Sequence, residues 1–319
     1  MSFKETDFDS LANFTGVNFG SEAIFEKTKF ISKADFNRSF FKSNVSLKNV
    51  VFGSSGSFSD AKFGGEVLLD SCLLPDTLYF NSVETAKEID FTYALTNTLQ
   101  QSNKKCVIDL YGTDIQKLKF DYSRFKVLTD SSKYNKAQLS NIYQQLLKMQ
   151  RDKGFTDGEE DVDKEYRHFK LTYDKAGFAY LLGAFGSWIQ RVWWDYGYHK
   201  ELIVLWTIVF LLFFTFINIF LFTYLNEKVY KIENIYNPEK YRETSNSISK
   251  RSPILTGISL TWFSTLMKSF FYTSLIFFGL KLSIEKIHFE HPGGAMYLII
   301  QYTLGLVCLA YLANFIILS

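Results

Sequence analysis

The sequence predicts an N-terminal β-solenoid, a helical connector and a C-terminal α-helical membrane domain with two spans and a re-entrant pore helix. Three observations predict it. Phenylalanine or leucine recurs in alternating steps of five and six from Phe3 to Phe80. Two long uncharged apolar runs, Leu202–Leu225 and Ala295–Leu318, occupy the last third. A shorter apolar element, Ser269–Leu280, lies between them and ends near Gly279. The corresponding segments are residues 1–130, 131–200 and 201–319.

The repeat runs Phe3, Phe8, Phe14, Phe19, Phe25, Phe30, Phe36, Phe41, Leu47, Phe52, Phe58, Phe63, Leu69, Leu74 and Phe80, a period of 11. Small residues such as Thr28, Ala34, Ser39 and Ala61 stand two places before a ring. On a helix this period would demand a continuous apolar stripe. Gly, Ser, Asn and Asp between the rings favour short strands and turns instead. A solenoid satisfies the pattern, because each coil sends one ring inward per side and stacking buries an aromatic ladder. Leu110, Ile115, Phe120 and Phe125 at five-residue steps predict that the solenoid resumes after an irregular insertion near 81–106.

Ala34-Asp35-Phe36 followed by Phe41, and Phe58-Ser59-Asp60-Ala61-Lys62-Phe63, resemble the pentapeptide-repeat proteins over roughly residues 3–80. The resemblance implies a scaffold or interaction surface, with no catalytic constellation and no cofactor. Lys27, Lys29, Lys33, Arg38, Lys42 and Lys48 crowd a stretch whose only acids are Glu26 and Asp35. They read either as a solvated face of mixed charge or as a patch for an anionic ligand, a nucleotide or single-stranded nucleic acid. Two repeats per coil would point Lys27 and Arg38 to opposite sides and weaken such a patch.

A net charge of +2 argues against a nucleic-acid footprint over the whole chain. Cys72, Cys106 and Cys308 are scattered, so no disulfide framework is expected and the N-terminal part reads as cytosolic. The N-terminus carries no apolar signal, which leaves Leu202–Leu225 as the expected targeting segment.

In the connector, Leu139, Ile142, Tyr143, Leu146, Leu147 and Met149 predict a helix. The run Asp157-Gly158-Glu159-Glu160-Asp161 is expected as a solvated loop; a divalent-ion site is the alternative, although the spacing matches no calcium loop. A second helix is expected through Tyr166, Phe169 and Tyr173. The aromatic cluster from Trp188 to Tyr198 predicts a helix at the membrane interface, serving as an anchor or as a lever for conformational change.

A helix needs about 20 apolar residues to cross the hydrocarbon core. From Ile254 the chain is apolar but divided by Lys268, whose place at the bilayer centre would be expensive. The expectation is therefore a surface helix, Ser259–Met267, and a re-entrant helix, Ser269–Phe278, with Phe278-Gly279-Leu280 at a pore axis. The basic loop Asn226–Arg251 would prefer the cytosol, which opposes the orientation set by a cytosolic N-terminal module.

Phe271-Tyr272-Thr273-Ser274-Leu275, then Pro292-Gly293-Gly294 and the last apolar run, resemble the two-helix pore of the potassium-channel superfamily over residues 202–319. The resemblance implies a homotetramer around a permeant-ion path. It assigns pore and filter to Thr273, Ser274, Phe277, Phe278, Gly279 and Leu280. It assigns an inner-helix gate to Gln301, Gly305 and Asn314, with Gly305 at the expected bend. Ile276–Leu282 departs from it, with one glycine and no glycine pair, so potassium selectivity does not follow. A different permeability, or a constriction made by Phe277 and Phe278, is expected instead. Gln301, Gly305 and Cys308 share a helix face, toward either a lumen or a neighbouring helix. With the chain ending after the last run, control is expected from the N-terminal half.

The expected function is a ligand- or partner-gated ion channel of the bacterial inner membrane, in one context an antiphage effector that depolarises the cell. A regulatory protein could replace the anionic ligand. The alternative is a membrane-anchored solenoid scaffold without conductance. No enzyme is expected, and His288 and His291 lack an evident carboxylate or cysteine partner for a metal.

Overall fold

The computed structural model describes residues 1–96, 105–130, 132–173, 177–231, 257–280, 285, 287 and 292–318. Lys281, Leu282, His288, Glu290, His291 and most of the basic loop after the first apolar run lie outside them. The chain divides into two compact units, Met1–Gly183 and Ala184–Ser319.

The first unit is a parallel β-solenoid of about five turns. Its short strands run from β1 (Asp7–Phe8) to β18 (Phe125–Val127) among the described residues. Strand partners lie two repeats apart: Asp7 pairs with Lys29 and Lys29 with Val51, while Ala12 pairs with Ala34 and Ala34 with Gly56. One coil is therefore two turns of the sequence repeat. The longest ladder joins β2 (Ala12–Asn13), β6 (Ala34–Asp35), β10 (Ser55–Ser57), β13 (Thr77–Tyr79), β16 (Cys106–Asp109) and β18. Between β13 and β16 the offset lengthens, with Leu78 opposite Ile108, so the solenoid resumes as expected. The irregularity is narrower than 81–106, because β14 (Glu84–Thr85) and β15 (Ile89–Asp90) keep the pattern.

The ring ladder explains the register. Phe14 stacks on Phe36 and Phe36 on Phe58, each at 4.9 Å, and Phe19 stacks on Phe41 at 4.6 Å with planes 2° apart. Rings from opposite sides of the coil meet edge to face, as Phe25 and Phe36 do at 85°, the geometry aromatic quadrupoles favour. Thr28, Ala34, Ser39 and Ala61 are buried beside them, and their small volume lets the coil close. Each repeat also turns the chain with one left-handed residue: Glu5, Gly16, Lys27, Arg38, Asn49, Asp60, Ser71 and Ser82 all have positive φ. From Gly16 to Ser71 this residue is the third of a four-residue turn, closed by bonds such as Ser39 N–H to Phe36 O at 3.1 Å. That position requires φ > 0, and glycine fills it once.

Helices α1 (Lys136–Lys153) and α2 (Thr156–Tyr173) belong to the same unit. They cover the last coil, as a solenoid end requires. Gln150 donates to Phe120 O at 2.8 Å and accepts from the Tyr122 amide at 3.1 Å. Tyr122 and Tyr143 both donate to the Glu165 carboxylate, at 3.0 and 2.9 Å. Burial, reinforced by the Glu165 charge, holds both phenols above the ordinary tyrosine pKa. Lys133 and the Tyr134 hydroxyl likewise bond the buried Asp109 carboxylate. The acidic run corrects the sequence reading: Asp157–Asp161 form the first turns of α2, where carboxylates favourably face the positive end of the helix dipole.

In the second unit, α3 (Gly177–Trp194), which begins in the first, carries the tryptophan cluster. α4 (Leu202–Tyr224) continues in a π turn to Val229. α5 (Gly257–Phe277) and α6 (Pro292–Leu318) complete the unit. Two segments, Leu202–Val229 and Pro292–Ile317, are long and apolar enough to cross a membrane. Their outward faces are apolar, with Phe216 and Phe220 on α4 and Ile299 and Ile316 on α6 exposed. Lipid, not water, suits such faces. α5 differs from the expected surface helix and re-entrant helix: it is one helix through Lys268, and a re-entrant element is not shown. No proline or glycine interrupts Ile258–Phe277, and lysine is itself a good helix former.

Replacing the buried Phe36 by alanine should cost about 3–5 kcal/mol, read as a lower unfolding midpoint of the full chain. The raised phenols set a second expectation. Above about pH 10 unfolded tyrosines release protons that folded Tyr122 and Tyr143 retain, so stability is flat below that pH and falls above it. Tyr143→Phe should flatten the alkaline slope in urea unfolding.

Candidate functional site in the apolar helical unit

Four polar side chains meet among the three apolar helices. Asn218 of α4 donates to Thr273 Oγ1 of α5 at 2.8 Å, and its Nδ2 lies 3.5 Å from Gln301 Oε1 of α6. The Tyr297 hydroxyl of α6 donates to Asn218 Oδ1 at 2.8 Å. Gln301 Nε2 donates to the Thr273 carbonyl at 3.1 Å. Asn218, Thr273 and Gln301 are fully buried. In hydrocarbon an unsatisfied amide is costly, so these groups bind three helices to one another and fix their rotation. Ser269, one turn before Thr273, is also buried, and its hydroxyl has no hydrogen-bond partner among the described residues.

Sequence reading found Thr273 and Gln301 but missed Asn218 and Tyr297. The signal was present: Asn218 is the one amide in the uncharged run Leu202–Leu225.

The other residues assigned to pore and filter shape the end of α5. Ser274 donates back to the Phe270 carbonyl at 2.8 Å. Phe277 is fully buried in a cluster with Phe214 and Cys308, and Phe278 packs partly buried against it. Gly279 has φ +66, with its N–H bonded to Ile276 O at 3.1 Å, and Leu280 N–H reaches Leu275 O at 3.0 Å. That bond pair is a Schellman cap, in which glycine is the cheapest left-handed residue. Gly279 therefore ends a helix, and the exposed Leu280 follows it.

On α6, Gln301, Gly305 and Cys308 do share a face, and it is buried against α4 and α5. A Cβ at Gly305 would collide with the Phe277 carbonyl oxygen, so the glycine permits backbone contact between α5 and α6. The helix is continuous through it. Asn314 lies about two and a half turns beyond Gly305, partly buried.

The basic stretch of the solenoid is charge-balanced. Lys27 meets Glu5 at 3.0 Å, Lys29 meets Asp7 at 3.8 Å, Arg38 meets Asp60 at 3.9 Å and Lys48 meets Asp70 at 2.9 Å. Each partner is one coil away. Lys33 meets Asp35 at 2.9 Å, and Lys42 is exposed. Such exposed pairs add little stability, but they reduce the field that an anion would feel. Cys72 and Cys106 are buried thiols rather than nucleophiles; burial, then the charge of Asp76, pushes Cys106 up to about 12.

No protein-family model, curated protein or solved structure matches this chain.

Asn218→Leu should strand Tyr297 and Thr273 and cost about 1–2 kcal/mol, measured as lower thermal stability in detergent. Gly305→Ala forces α5 and α6 apart and should cost about 1–3 kcal/mol in the same assay.

Proposed function

We propose that this chain is a subunit of an ion-conducting membrane protein, with the solenoid as its regulatory module. The observation that carries the reading is the network of Asn218, Thr273, Tyr297 and Gln301. An anchor needs one span. Here a third helix is locked between two candidate spans by buried polar contacts, which are expensive in lipid and characteristic of functional membrane bundles.

One such unit encloses no path, so several copies assemble around an axis, four by the resemblance to two-helix pores. Ion flow then passes between copies. Phe277 is occupied inside its own subunit, which leaves Phe278 as the ring available to a constriction. The solenoid, of the pentapeptide-repeat type, receives the controlling signal. A regulatory protein fits its charge-balanced face better than a nucleotide or single-stranded nucleic acid does. Depolarisation of a bacterial inner membrane in response to phage is one role for such a pore.

A second reading is a membrane-anchored scaffold without conductance. The continuity of α5 through Lys268 and its Schellman cap favour it, because neither supplies a re-entrant filter.

Planar-bilayer recording of the purified full chain separates the two. Discrete currents are expected, with unitary conductance altered by Phe278→Ala and currents reduced by Asn218→Leu. Silence of the folded wild-type protein and both variants, with and without a cytosolic extract, would leave the scaffold.

A further inference from the structure

We infer that the groove between α3, α4 and α6 holds the acyl chain of a membrane lipid. Trp188, Trp193 and Trp194 of α3, Trp206 and Phe210 of α4 and Tyr311 of α6 line a cavity of about 380 Å³. Among the described residues, no charged side chain lines it. A buried water needs two to four polar partners, and apart from Gln190 and the Tyr311 hydroxyl this lining consists of apolar rings and aliphatic groups. An apolar chain is the occupant whose chemistry matches.

Two further observations point to lipid. Val307 of α6 and Ile189 of α3 line the groove and are also exposed. The cavity is thus continuous with the apolar surface that α4 and α6 present to a bilayer. The second is an orphan donor. Trp206 Nε1–H bonds the Val192 carbonyl at 2.8 Å, whereas the buried Trp193 Nε1 has no hydrogen-bond partner among the described residues. Tryptophan concentrates at the depth of the lipid interface, where ester and carboxyl oxygens are plentiful acceptors. A lipid whose tail fills the groove satisfies the apolar walls, and its carbonyl end beside Trp193 supplies the missing acceptor once the indole turns its buried Nε1 toward the groove. The inference requires that the unit enter a bilayer and does not require that it conduct.

Four of the chain's five tryptophans line the groove, so their fluorescence reports its occupancy. The test titrates the full chain in detergent with a fatty acid brominated at mid-chain, a contact quencher of indoles. Saturable quenching is expected. Val307→Phe and Ile189→Phe each push a ring into the groove from a partly exposed site. Each should weaken the apparent affinity by about tenfold, equivalent to displacing roughly two methylenes. Linear quenching, equal in wild type and variants, would mean contact with bulk amphiphile only and would overturn the inference. So would absent quenching with a change of assembly size in Val307→Phe, which would give the groove to a second copy. If neither variant folds, saturation in the wild type decides alone.

Discussion

Face-to-face stacking of one phenylalanine on another, one coil away, is the interaction on which the solenoid depends. A two-residue strand has almost no stability of its own. Each coil becomes stable when its rings cover those of the coil before, as Phe14, Phe36 and Phe58 do. That requirement dictates the rest of the repeat. Buried neighbours such as Ala34 and Ser39 must be small. The turn must keep its length, even where a lysine or an arginine has to adopt a left-handed backbone. The end of the stack must be covered, and Gln150, Tyr122, Tyr143 and Glu165 do this with hydrogen bonds that tie α1 and α2 to the last coil.

What is legible in the sequence follows from the range of each interaction. The ring ladder is written at a fixed local period, so its core can be named residue by residue. The ion pairs are hidden, because Lys27 and Lys48 find Glu5 and Asp70 one coil away rather than in the neighbouring sequence. A stretch that looks basic is therefore close to neutral. The acidic run of α2 misleads for a different reason: its composition resembles a loop, but its position at a helix start makes it favourable.

The apolar unit shows the same division. Length and hydropathy identify α4 and α6 as long and apolar enough to cross a membrane, since that is a property of composition. The role of Gly279 cannot be read that way. One glycine after an apolar helix serves a filter or a C-cap equally well, and its hydrogen bond to Ile276, with that of Leu280 to Leu275, identifies the cap. Gly305 likewise reads as a bend, whereas its contact with the Phe277 carbonyl identifies it as a point of close approach. Asn218 hides among apolar neighbours, yet it touches both α5 and α6.

This network sets the functional question. It makes three helices into one folded body, but every member is satisfied within a single chain, so the proposed ion path has to lie between chains. Stoichiometry therefore decides whether the chain can conduct. Counting photobleaching steps of a singly labelled full chain in lipid nanodiscs tests this directly. Four steps are the predicted result; a single step in well-folded, fully loaded discs would contradict the pore.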